Sequence, residues 1–139
     1  MKNFLIPLVL AFALVLPTAA VEAAYVLVPN FYNMTSNRIQ ERIRYTGMDQ
    51  KNHNGVHYTS WHYVCVDGKT NQYVSKYIKK LNSKHNIRQV GHNGGNWYFV
   101  YNGNQAHMLK TFDGGFHIHV GVSGRNVVVD LVGGMYPET

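Results

Sequence analysis

The chain has 139 residues, 13 Lys and Arg against 7 Asp and Glu, a net charge of +6 and a single cysteine. One cysteine excludes an internal disulfide, and no stretch beyond residue 24 is apolar and long enough to span a bilayer. The basic residues Arg38, Arg42, Arg44, Lys76, Lys79, Lys80, Lys84 and Arg88 read as solvated helix faces and not as a nucleic-acid patch, and the positive balance favours acidic partners, such as anionic cell-wall polymers, lipid headgroups or nucleic acid, without choosing among them.

Residues 1–24 have the form of a secretory signal peptide: Lys2 gives a charged start, Phe4 to Leu16 is a short apolar run, and Pro17 to Ala24 is rich in small residues. Residues 25–139 are then expected to form a single α+β domain in a secreted or periplasmic protein. Tyr25 to Val28 is a short predicted strand ended by Pro29 and Asn30. Thr35 or Ser36 can cap a helix running to about Tyr45, with Ile39 and Ile43 one turn apart and Gly47 just beyond its end. Asp49 to Gly55 reads as a polar loop, and Val56 to Val66 as a strand.

Asp67 or Thr70 can start a second helix, in which Tyr73, Val74, Tyr77, Ile78 and Leu81 form one apolar stripe opposite four lysines. The remainder reads as β: Ile87 to Val90, Trp97 to Tyr101, a turn at Asn102-Gly103-Asn104, a return strand Gln105 to Phe112, a second turn at Asp113 to Gly115, and a final hairpin. In that hairpin Ile118, Val120 and Val122 alternate with His117, His119 and Gly121, and a turn over Ser123 to Asn126 leads into the apolar run Val127 to Val132. The fold class expected is therefore α+β, two N-terminal helices packed on a mainly antiparallel sheet or half-barrel.

The hairpin carries the first candidate chemistry. A turn near Gly124 sets residues 119 and 130 opposite one another, so His119 and Asp130 can pair across it. Cys65 stands just before the second helix. A thiol there feels the helix dipole, and an imidazole within reach can take its proton while a carboxylate orients the ring. Cys65 also lies within the strand pattern of residues 56–66, where it can serve as a small buried hydrophobe.

The segment His119-Val120-Gly121-Val122-Ser123-Gly124-Arg125-Asn126, running on to Asp130, resembles the "HVGIY-x-G-x-G" strand pair of the NlpC-type papain-like cell-wall cysteine peptidases. Cys65 precedes His119 by 54 positions and Asp130 follows it by 11, spacings similar to those of that family's nucleophile, base and third residue. The helix with Tyr73-Val74 and Tyr77 to Leu81 resembles the family's helix after the cysteine. The resemblance implies a papain-like arrangement with Cys65 as nucleophile, His119 as base and Asp130 as orienter. It further implies hydrolysis of amide bonds in cell-wall peptides through an acyl-enzyme, without a cofactor. Three features depart from the family: Val64-Cys65-Val66-Asp67-Gly68 stands in place of its "DCSG" signature, His57-Tyr58 and Trp61-His62-Tyr63 stand in place of the aromatic and paired glycines upstream of the cysteine, and an aspartate takes the third position, usually histidine.

A rival function follows from the aromatic residues: a non-catalytic secreted binding or inhibitor module using an aromatic and histidine-rich sheet face. Trp97, Phe99 and Tyr101 fall on one side of their strand, with Tyr98 and Val100 on the other. Trp61, Tyr63 and Trp97 are the substrate- or ligand-binding candidates, because flat rings beside polar loops stack on sugars or hold a peptide. His117 and His119 lie on the same side of one strand, with His107 or His62 as potential third ligands. A lone His-x-His without a carboxylate at fixed spacing does not define a metal site, so no metal is expected. The two functions part at Cys65: an enzyme needs its sulfur accessible and near His119, whereas a binding module can bury it.

Overall fold

A computed structural model describes residues 26–35, 41–53, 55–101 and 118–139. The signal-peptide segment, His107, His117 and the return strand expected at 105–112 lie outside the described residues. In chain order the elements are β1 (Val26–Val28), a short 3-10 turn (Phe31–Met34), β2 (Ile43–His53), β3 (Val56–Cys65), α1 (Thr70–Asn82), β4 (Ile87–Asn93), β5 (Asn96–Tyr101), β6 (Ile118–Ser123), β7 (Asn126–Val132) and β8 (Met135–Pro137). Strands β2 to β7 form one six-stranded sheet in the order β2-β3-β7-β6-β5-β4, all neighbours antiparallel. β1 and β8 pair in parallel as a separate two-stranded ribbon.

This architecture corrects the expected fold class. The described chain is mostly β with a single α-helix, not two N-terminal helices on a sheet. The helix expected to reach Tyr45 is overturned where it can be checked: Ile43, Arg44 and Tyr45 open β2, paired to Cys65, Val64 and Tyr63. The loop expected at 49–55 is the continuation of that strand, Asp49 to His53 pairing with Ser60 to Val56. β2 is an edge strand whose residues after Ile43 are nearly all exposed, so it carries no apolar alternation to mark it.

The second expected helix is present as α1. Its stripe Tyr73, Val74, Tyr77 and Leu81 is buried and Ile78 half-buried, while Lys76, Lys79 and Lys80 are exposed. The chain enters α1 through Asp67, whose Oδ1 accepts from the Lys69 amide at 3.1 Å and whose Oδ2 accepts from the Tyr73 hydroxyl at 2.5 Å. Tyr77 fixes α1 to the N-terminal segment by donating to the Pro29 carbonyl at 2.7 Å, and Phe31 packs edge-on against both Tyr77 and Tyr63.

Pleating divides the sheet into two faces. Odd-numbered residues of β3 and β7 (Trp61, Tyr63, Cys65, Val127, Val129, Leu131) face the same side as Ile118, Val120, Phe99 and Tyr101, and most are fully buried in the main core with α1 and the 3-10 turn. Even-numbered residues (Tyr58, Ser60, His62, Asp130) lie on the opposite side, together with His119 and Tyr98, their neighbours on β6 and β5. Asp130, Leu131 and Val132 are consecutive and all buried, as an apolar run covered on both faces requires.

Both outer strands of the sheet are irregular. Thr46 is an extra residue in β2 between the Tyr45–Tyr63 and Gly47–His62 pairs, and Val90 is an extra residue in β4 between Gln89–Phe99 and Gly91–Tyr98. A bulge shifts the side-chain phase by one residue. Tyr45 therefore belongs to the core side of the sheet, whereas Asp49 and Lys51, though also odd-numbered, belong to the other.

Candidate functional site

On the face remote from α1, the antiparallel register sets His119 opposite Asp130 and Asp130 opposite Ser60. His119 Nδ1 lies 2.6 Å from Asp130 Oδ2, so the expected pair across the hairpin is formed. Ser60 donates to Asp130 Oδ1 at 2.5 Å and Lys51 to Oδ2 at 2.9 Å. The Asp130 side chain is only 3% exposed. Burial alone would raise its pKa, but the hydrogen bonds from His119, Ser60 and Lys51 outweigh it and hold the carboxyl below its usual range.

The other ring nitrogen of His119, Nε2, lies 2.8 Å from Asn96 Oδ1, and the Asn96 amide nitrogen is directed to the Asn93 carbonyl at 3.5 Å. Tyr98 stacks on the imidazole at 5.0 Å between centroids and 18° between planes. Gly121 makes this placement achievable, since a Cβ there would stand 3.2 Å from His119 Cε1 and 3.5 Å from Asn96 Oδ1. The imidazole is thus fixed at both nitrogens and on one ring face. It borders a cavity of about 370 Å³ also lined by Lys51, His53, Tyr58 and Tyr98.

Cys65 is not part of this constellation. It is fully buried on the core side, its backbone N–H bonded to the Arg125 carbonyl at the far end of β3. Ser60, which contacts Asp130, is five residues away and on the other face, a separation of roughly 17 Å along a strand. Burial pushes the Cys65 thiol pKa up, with a hydrogen bond involving Thr70 opposing that rise and Asp67 adding to it. The dipole of α1 does not produce a thiolate here. The order of the three residues along the chain does not bring them together, because a period-two strand sends Cys65 and Ser60 to opposite sides of the sheet. Cys65 and His119 are therefore not in contact.

The aromatic candidates part company as well. Trp97 is on the core side, half-buried, stacked on His92 at 4.5 Å. Trp61 and Tyr63 come together with Tyr45, which lies 6.1 Å and 5.7 Å from their ring centroids. These three, with Tyr32, Arg44 and Tyr136, line a groove of about 590 Å³ between the β2–β3 edge and the β1–β8 ribbon. Tyr45 and Tyr136 are 44% and 40% exposed, so the groove has open aromatic walls. The Trp61 indole N–H is buried and has no hydrogen-bond partner among the described residues.

Tyr45, Tyr32 and Tyr136 were not singled out from the sequence. Tyr45 was hidden by the helix assigned to its segment, and Tyr136 lies beyond the last strand expected. Among the described residues no group of three His, Cys, Asp or Glu side chains has metal-holding geometry, and no helix is long and apolar enough to cross a membrane. Comparison with protein-family models, curated proteins and solved structures gives no significant match.

Proposed function

We propose that this chain is a non-catalytic secreted binding module that holds a saccharide segment of a cell-surface polymer, peptidoglycan or another anionic glycan, in the aromatic groove. The observation that carries this reading is a groove walled by the rings of Tyr45, Trp61, Tyr63 and Tyr136, two of which, Tyr45 and Tyr136, stand 44% and 40% exposed. The faces of Tyr45 and Tyr136 offer flat apolar surface for the C–H face of a sugar ring, and Arg44, Glu41 and Glu138 line the same groove as groups able to hydrogen-bond sugar hydroxyls. The net charge of +6 draws the protein to an anionic polymer from a distance.

Cosedimentation with purified peptidoglycan sacculi tests the reading. Wild-type protein should be retained, and Trp61→Ala and Tyr45→Ala should each weaken retention at least about fivefold, the scale of one lost aromatic contact. Trp61→Phe, which keeps an aromatic wall, should fall between the wild type and Trp61→Ala. Equal retention of the wild type and Trp61→Ala would exclude the groove as the binding site. A hydrolase acting through Cys65 is not proposed, because its sulfur is enclosed in the core on the side of the sheet away from His119.

A further inference from the structure

The cavity around His119 is separate from the aromatic groove, on the other face of the sheet, and the glycan reading makes no use of it. Its hydrogen bonds specify its charge. Asp130 accepts from Ser60 on one oxygen and from Lys51 and His119 on the other, and is itself buried. The only carboxylate among the described lining residues is therefore engaged as an anchor beneath the wall.

The groups above it are donors. The Asn96 amide nitrogen is directed to Asn93, so its oxygen is the atom that faces His119 Nε2. Both ring nitrogens of His119 are occupied, by Asp130 and Asn96, so the imidazole is a fixed wall of the cavity. Lys51 is held over Asp130 by its 2.9 Å contact while its side chain remains 47% exposed, which leaves its other N–H groups open to a ligand. Tyr58 and Tyr98 give the rest of the lining an aromatic, weakly polar character, and His53 stands at the same cavity.

We propose that this cavity is a binding site for a small organic monocarboxylate. The ligand's carboxylate would pair with the Lys51 ammonium and accept from the remaining N–H of the Asn96 amide, and its apolar part would lie against Tyr58 and Tyr98. A monoanion matches the single Lys51 charge. Every described lining residue belongs to a strand, so among the described residues no helix N-terminus of the kind that binds phosphate faces the cavity. The site is preorganised: Asp130, Asn96 and Tyr98 hold the imidazole before any ligand arrives, and Gly121 leaves the ring its room.

The test is an NMR titration of the full mature chain, following the His119 Cε1–H resonance, with benzoate, benzamide and inorganic phosphate as probes at constant pH. Benzoate should move the resonance saturably, and benzamide and phosphate should leave it in place at the same concentrations. Lys51→Met keeps the aliphatic stem and removes the charge. It should weaken benzoate binding about tenfold, the loss of one charge-assisted hydrogen bond. Asn96→Asp, which adds a second carboxylate at the rim, should abolish binding, and keeps the test decisive if the lysine variant folds poorly. The proposal fails if benzoate gives no saturable shift, if benzamide binds as well, if phosphate binds in its place, or if both variants bind benzoate like the wild type.

Discussion

Asp130 is the residue on which one side of the sheet depends. It is buried, ionised and bonded to side chains from three other strands: Lys51 of β2, Ser60 of β3 and His119 of β6. Asp130→Asn leaves the shape in place but removes the charge that Lys51 and His119 face, and should cost about 1–3 kcal/mol by urea unfolding at neutral pH. Its carboxyl pKa in the folded protein lies below that in the unfolded chain, about 3.9. The stabilisation it provides is complete above the unfolded value and is lost as pH falls through the lower folded one. The wild type should therefore lose stability steeply below about pH 4, and Asp130→Asn should show a shallower decline over the same interval. Cys65 makes an opposite kind of prediction. Iodoacetamide should label it in the native protein only as fast as the fold opens, with rapid labelling once urea is added. Fast native labelling at mildly acidic pH would contradict the burial described. The pairing of His119 with Asp130 was legible in the sequence because a hairpin fixes which residues oppose one another. The separation of Cys65 from them depends on strand phase across β3, which order along the chain does not convey.

Among the elements, the hairpin of β6 and β7 and helix α1 followed directly from apolar periodicity, since both bury a continuous stripe. β2 did not. Its outward residues carry no alternation, and the bulge at Thr46 breaks the period where Tyr45 gives way to Gly47. That break places Tyr45 at the aromatic groove and Lys51 at the His119 cavity, so both proposed sites use a strand that the sequence pattern concealed. The turn joining β4 to β5 sets a further constraint. A Cβ on Gly95 would stand 2.5 Å from the Val122 carbonyl oxygen, and the Gly95 carbonyl accepts from the Val122 amide at 2.8 Å. Gly95→Ala must push β5 from β6, and should cost about 1–3 kcal/mol in urea denaturation. Gly133→Ala, with nothing near the added carbon, should be neutral by the same measurement. A similar loss in both would mean that the close approach at Gly95 is not what matters.

Across the whole molecule, the sheet separates two environments that the sequence presents as one pool of histidines and aromatic rings. One side joins α1, the 3-10 turn and the β1–β8 ribbon in an apolar core with the aromatic groove at its margin. The other carries the Asp130 network and its cavity. β3 and β7 are adjacent interior strands with sheet partners on both sides. Amide hydrogen exchange should be slowest in Tyr58 to Tyr63 and Val127 to Leu131, and fast in Gln50 to His53, where β2 is paired on one side only and its side chains are exposed. The topology was partly legible: the successive antiparallel strands at the end of the chain were expected, while the β2–β3 extension beyond them was not.

The paired irregularities at Thr46 and Val90 bear on how copies of this protein meet. An open sheet ends in two rows of backbone donors and acceptors, and a straight row is a template on which another chain can add a strand. Here each outermost strand carries one surplus residue, Thr46 in β2 and Val90 in β4, that interrupts its row of donors and acceptors. Charged side chains at Arg44, Asp49, Lys51 and Arg88 occupy the same two strands. Deleting Thr46 would straighten one rim and leave the other as an internal control. That variant should form thioflavin-positive assemblies at concentrations where the parent chain stays dispersed.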